Sequence, residues 1–130
     1  MPYLHLNLSK SYPAPVKREI ATRLCKLYSS IMQTEPWRPN VGIAELGADN
    51  IFHMKGDELE PINMILIEVR RGRPDDLRLQ LANAIVDACV EILKVPRETL
   101  LIEFTTHSAT EMFRSGRWTS EWSEAEAQAS

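Results

Sequence analysis

Three groups of residues in this chain have the types and spacing needed for chemistry. The first is Pro2, whose small side chain at position two permits removal of Met1 and leaves a secondary amine at the head of a strand-like segment. A free α-amino group titrates at about 7.7–8.0, and modest desolvation or a nearby cation brings it close to neutrality, where a general base works best. The second is the run Arg70-Arg71-Gly72-Arg73, between a strand pattern and a helix pattern that opens near Pro74 and Asp75. A guanidinium matches a carboxylate through a planar fork, and strand ends next to helix starts are where parallel sheets gather ligands. If the strand pleat continues through this run, Arg71 and Arg73 face opposite to Arg70, so at most two of them reach one ligand. The plainer reading of the same residues is a solvated basic turn offset by Asp75 and Asp76.

The third group is Glu103, His107, Arg114, Arg117 and Trp118, in a segment without strong periodicity after the last strand pattern. Loops carry sites more often than their length suggests. Even so, Trp118 and Trp122 read first as packing or interface anchors, and Arg117 reads first as surface. His5, His53 and His107 show no metal-ligand spacing and no glycine-rich phosphate loop is present, so neither a metal nor a cofactor is expected. Cys25 and Cys89 each fall inside a helical pattern, without a CxxC pair, and read as small buried apolar groups.

The elements that must position these residues follow from hydrophobic periodicity. Leu4, Leu6 and Leu8 alternate with His5 and Asn7, giving a half-buried strand over 2–8. Ile20, Leu24, Leu27 and Ile31 recur at helical spacing from Ala14 to about Gln33, and Pro36 and Pro39 stop that helix before a second strand over 41–46. The pattern then repeats: a strand over 64–69, a helix over 75–93 and a strand over 100–104. Sliding the chain by 61 places Leu4 on Ile65, Ile20 on Leu81, Leu24 on Ile85 and Ile31 on Ile92, the mark of a duplicated βαβ unit. Ile51 to Met54 reads as a brief edge strand, Glu111 to Phe113 as a helical turn ended by Gly116, and 123–130 as a mobile polar tail.

The expected architecture is therefore α+β: one domain over 1–122, made of two fused βαβ units at about 2–46 and 62–104, with the tail beyond. Crossover helices make each strand pair parallel and right-handed, giving a four-stranded sheet with both helices on one face. The other face is then expected to be apolar and uncovered, which calls for oligomerisation. A net charge of -3 and an isolated arginine turn give no nucleic-acid footprint, and no apolar run is long enough to span a membrane. The expected location is cytoplasmic.

With Pro2, the duplicated unit and the arginine turn in place, residues 2–118 resemble the tautomerase superfamily, whose members use an N-terminal proline as acid or base. The stretches from Val69 through Leu77, Lys94-Val-Pro and Leu101-Ile-Glu-Phe resemble a 4-oxalocrotonate tautomerase subunit. The overall layout, the arginine-glycine turn and Met112-Phe-Arg-Ser-Gly-Arg117 are similar to cis-3-chloroacrylic acid dehalogenase. The resemblance implies a homotrimer with a β-α-β fold like that of macrophage migration inhibitory factor, Pro2 as the catalytic group, and Arg70 with Arg73 as the pair that binds a substrate carboxylate. It also marks departures: Tyr28 replaces a histidine, Glu103 a tyrosine, and Arg114 a water-activating glutamate. The implied activity is enol–keto interconversion of a small 2-oxo acid, with Tyr28, Glu103 and Arg114 beside the substrate. Decarboxylation, hydration or dehalogenation of three-carbon acids is the alternative, as is a non-catalytic trimeric binding protein.

Overall fold

The computed structural model describes residues 2–129, without the side chain of Ala129. Its centre is a four-stranded sheet in the order β2 (Asn40–Glu45), β1 (Tyr3–Leu8), β5 (Asn63–Arg70), β6 (Leu100–His107). Strand β1 runs parallel to β2, and β5 runs parallel to β6. The two inner strands meet antiparallel, with Tyr3 opposite Glu68 and Asn7 opposite Met64. This is the arrangement two fused βαβ units produce when their first strands pair.

Both crossover helices start on proline and stop on a left-handed residue. Helix α1 (Ala14–Ile31) begins after Pro13, whose carbonyl accepts from the Val16 and Lys17 amides, and Gln33 has φ +55° just past its end. Helix α2 (Asp75–Leu93) begins after Pro74 with Asp75 and Asp76 in its first turn, where carboxylates complement the helix dipole, and Lys94 caps it at φ +57°. Ile20 and Leu24 of α1 join Leu81, Ile85 and Cys89 of α2, all fully buried, over Leu4, Leu6, Leu8, Ile65 and Ile67. Each such aliphatic side chain contributes about 1.5–3 kcal/mol on burial.

Because strand side chains alternate, the opposite face presents Tyr3, His5 and Asn7 of β1, Met64, Leu66 and Glu68 of β5, and Leu101, Glu103 and Thr105 of β6. That face is amphipathic rather than uniformly apolar: Leu101 is 46% exposed, but Glu68 sits level with Thr105, and Glu103 with Leu66. The even positions of β1 and the odd positions of β5 carry the aliphatic run, so the apolar content had gone to the helix side.

Three further pieces depart from the sequence expectation. Strand β3 (Phe52–Lys55) is no edge of the main sheet; it pairs with β4 (Glu58–Pro61) in a separate hairpin turning at Gly56, φ +62°. A single helical turn covers Ala109–Glu111 only, and Phe113 instead joins the hairpin of β7 (Phe113–Arg114) and β8 (Arg117–Trp118). Ser115 and Gly116 both have positive φ there, the backbone a two-residue hairpin turn demands. Residues 124–129 form helix α3 (Glu124–Ala129), docked on the body through Glu126, where the sequence suggested a mobile tail.

Candidate active site

The C-terminal end of β5 and the N-terminal end of β1 lie side by side, because the two strands are antiparallel. One residue beyond the Tyr3–Glu68 pair, Pro2 comes level with Val69 at this end of the sheet. Pro2 is buried, and its carbonyl accepts from both the backbone amide (3.0 Å) and the side-chain Nδ2 (2.9 Å) of Asn40. The residue leading into β1 is thus pinned from the neighbouring strand β2. Met1 lies outside the described residues.

Past Arg70 the pleat does not continue. Gly72 adopts φ +117°, a conformation L side chains rarely take, and a Cβ there would stand 2.4 Å from the Trp122 carbonyl oxygen. The kink turns Arg73 to the same side as Arg70. The Arg70 side chain is 1% exposed; its Nη1 donates to the Ser120 carbonyl at 2.9 Å and its Nη2 to Glu126 at 2.5 Å. Arg73 donates only through Nε, to the Met32 carbonyl at 2.8 Å, while Nη1 and Nη2 are both buried without a hydrogen-bond partner. Its guanidinium carbon stands 5.8 Å from the Tyr28 ring centroid and 5.4 Å from that of Trp122, within cation–π range.

Tyr28 is fully buried, and its hydroxyl is also without a partner. Burial pushes its pKa up to about 12 against the opposing charges of Arg73 and Arg70, so it is a neutral donor at any physiological pH. Burial likewise pulls Arg73 below the ordinary arginine value, with Arg70 and Arg38 adding to the effect and Tyr28 and Glu126 opposing it. Two buried guanidinium nitrogens and a buried phenol, all unpaired, are what an anion with acceptor oxygens would satisfy.

A cleft of about 310 Å³ opens nearby, lined by Trp37, Arg38, Arg114, Arg117, Trp118 and Ser120 among others. Arg38 and Arg114 both stack on the Trp37 ring, at 4.7 and 4.8 Å, and Arg114 Nη1 is buried without a partner. Ser120 belongs to this cleft and also accepts from Arg70, which ties the two cationic regions together. A larger cavity of about 730 Å³ lies along the flank of α1 beside β2; Lys26 is the one charged residue in its lining among the described residues, so it offers no convergent site.

Of the residues singled out in the sequence, Tyr28, Arg70 and Arg73 come together, Pro2 starts at the same end of the sheet, and Arg114 lines the adjoining cleft. Glu103 does not join them within one chain: it is exposed on the open sheet face. His107 lies at the end of β6, 3.4 Å from Glu68. Sequence reasoning missed Trp37, Arg38 and Glu126. The signal for the first two was present in Pro36-Trp-Arg-Pro39, an aromatic–arginine pair held between prolines.

No protein-family profile and no curated protein matches this chain. Solved structures do. N1, a member of the cis-3-chloroacrylic acid dehalogenase family, superposes with a TM-score of 0.82 at 18% identity, over 97% of this chain and 89% of that one. The chain has the tautomerase-superfamily fold. The wild-type asymmetric trimer of F6 fused 4-OT gives 0.79 at 18% identity, over 89% and 94% of the two chains. Pt0534 inactivated by 2-oxo-3-pentynoate gives 0.77 at 16%, over 98% and 97%. The fold is thus shared along nearly the whole chain.

Proposed function

We propose that this protein is a tautomerase-type enzyme that interconverts the enol and keto forms of a small 2-oxo acid. The Pro2 nitrogen, freed by loss of Met1, serves as base and acid. The observation that carries this reading is Arg73, half-buried beside Tyr28 with both terminal nitrogens buried and unpartnered, at the end of the sheet where Pro2 begins. A substrate carboxylate would accept from Arg73 Nη1 and Nη2, and the Tyr28 hydroxyl would donate to a substrate oxygen. Neutral Pro2 nitrogen takes the enol proton and returns one to carbon. Arginines on this side of the sheet disfavour the charged amine, since like charges repel, and keep it basic at neutral pH.

Support for a 2-oxo acid comes from Pt0534, a protein of the same fold that 2-oxo-3-pentynoate inactivates. Dehalogenation fits less well, because Arg114 brings no carboxylate to activate water. The active form proposed is a homotrimer, assembled here through the open sheet face; fused 4-OT, of the same fold, is a trimer. The test is a panel of an enol acid, a 3-halo acrylic acid and a 3-oxo acid, assayed with wild type and Pro2→Ala. The expected best substrate is the enol acid, with a loss of about 10²–10⁴ in rate on substitution, the range of one general acid–base group. Full activity of Pro2→Ala on the best substrate would end the proposal.

A further inference from the structure

Glu126 occupies one of the two arginines, Arg70, assigned to the substrate carboxylate. Its Oε2 accepts from Arg70 Nη2 and from the Thr34 hydroxyl and lies 3.7 Å from Arg38 Nε, and its side chain is only 10% exposed. This is a carboxylate recognised by two guanidiniums and a hydroxyl, within the same cluster as Arg73 and Tyr28. A purely structural ion pair would account for Arg70, but it leaves two nitrogens of Arg73 and the Tyr28 hydroxyl buried and unpaired beside it. Such groups cost free energy until a ligand satisfies them.

The element that delivers Glu126 is built to leave. Helix α3 has six residues, far below the length at which an isolated helix holds in water, and among its described side chains only Glu126 and Ala127 are even half-buried. Its docking therefore rests largely on the Glu126 contacts, which places it at the low-stability end of the molecule. The anchor lies just before it: the Trp122 amide donates to the Arg71 carbonyl (3.1 Å), its indole Nε1 donates to the Gln33 carbonyl (2.9 Å), and the residue is 7% exposed. Gly72, lacking a Cβ, is what lets the Trp122 carbonyl pass this close to the arginine turn. The hinge therefore falls at Ser123.

We propose that Glu126 is an internal competitor for the carboxylate subsite. It holds Arg70 in the empty enzyme, an incoming anion takes Arg70 together with Arg73 as α3 swings out, and Glu126 thereby sets which carboxylates the site accepts. The proposal rests on the reading of Arg70 and Arg73 as an anion site. An acid that meets only Arg73 leaves α3 in place and binds weakly; one that reaches both arginines displaces it.

The experiment is calorimetric titration of pyruvate into the full chain without Met1, as wild type, Glu126→Gln and Arg73→Ala, with hydrogen exchange of α3 measured in wild type at saturation. Glu126→Gln is expected to tighten pyruvate about tenfold, since the competitor's share of Arg70 is released. Amides of 124–129 are expected to exchange faster in saturated wild type. Unchanged or weaker binding in Glu126→Gln, with Arg73→Ala still impaired, makes α3 a structural clasp and overturns the inference alone. Pyruvate binding untouched by Arg73→Ala, or absent from every variant, overturns the anion-site reading beneath it. Should Glu126→Gln misfold, unaltered exchange of α3 in saturated wild type is by itself decisive against the inference.

Discussion

Arg73 is held by one hydrogen bond, from Nε, and the rest of its fork is free. A charge-assisted hydrogen bond is worth about 1.5–3 kcal/mol, or roughly 10–100-fold in affinity. Arg73→Ala is therefore expected to raise KM by about that factor with little change in kcat, the signature of lost uniform binding, measured on the best substrate of the acid panel. Arg73→Lys is not expected to restore it, because a point charge does not reproduce a planar fork. An unchanged KM in Arg73→Ala would remove Arg73 from the carboxylate role. Arg73 was legible in the sequence because an arginine turn between a strand and a helix has a mechanical meaning. Glu126 was not: Glu-Ala-Glu-Ala-Gln-Ala is made of good helix formers but is too short to show a period, and nothing local reveals that its target lies 56 residues upstream. Alternation along β6 sends the Glu103 side chain to the open sheet face, away from the arginine turn of its own chain.

At the scale of elements, the strands and helices of both βαβ units were readable, because each has an apolar period of its own and proline or a left-handed residue at its ends. The two hairpins were not, because β4 and β7–β8 depend on positive φ at Gly56, Ser115 and Gly116 rather than on any apolar pattern. Helix α3 hangs on a titratable contact. Burial would raise the Glu126 pKa, but the hydrogen bonds from Arg70 and Thr34 and the charges of Arg70 and Arg38 outweigh it and hold the carboxyl below its usual range. A carboxyl whose folded pKa lies below its unfolded value, about 4.3, stabilises the docked state above that value and loses the contribution as pH falls through the folded pKa. Tyr28 and Arg73, which also face it, keep their protons throughout. Acidification below the ordinary carboxylate range should thus release α3 before the βαβ body unfolds, seen as rapid exchange of the 124–129 amides at unchanged far-ultraviolet dichroism of the remainder. Protection of α3 that persists to the acid unfolding of the whole chain would show that Glu126 does not hold it.

For the whole molecule, the open face of the sheet is the surface left to explain. It joins Leu66, Met64, the half-exposed Leu101 and the stacked Tyr3 and His5 rings (5.5 Å between centroids) with Glu68, Glu103 and Thr105. Polar groups among apolar ones suit an interface whose geometry is specific, and a trimer would bring Glu103 of one copy to another's surface. Sedimentation is expected to show a trimer, and Leu101→Asp, which adds a charge to the apolar part of the face, to shift it toward monomer at micromolar concentration. A wild type that sediments as a monomer would rule out the trimer.

The proposed chemistry depends on a single atom, the Pro2 nitrogen, and its titration in protein labelled with 15N-proline decides whether a free amine stands there. A free secondary amine beside arginines is expected to titrate with a midpoint at or below the 7.7–8.0 of an ordinary α-amino group. A Pro2 signal that does not move with pH, as for an amide still joined to Met1, or one with a midpoint above that range, would contradict it.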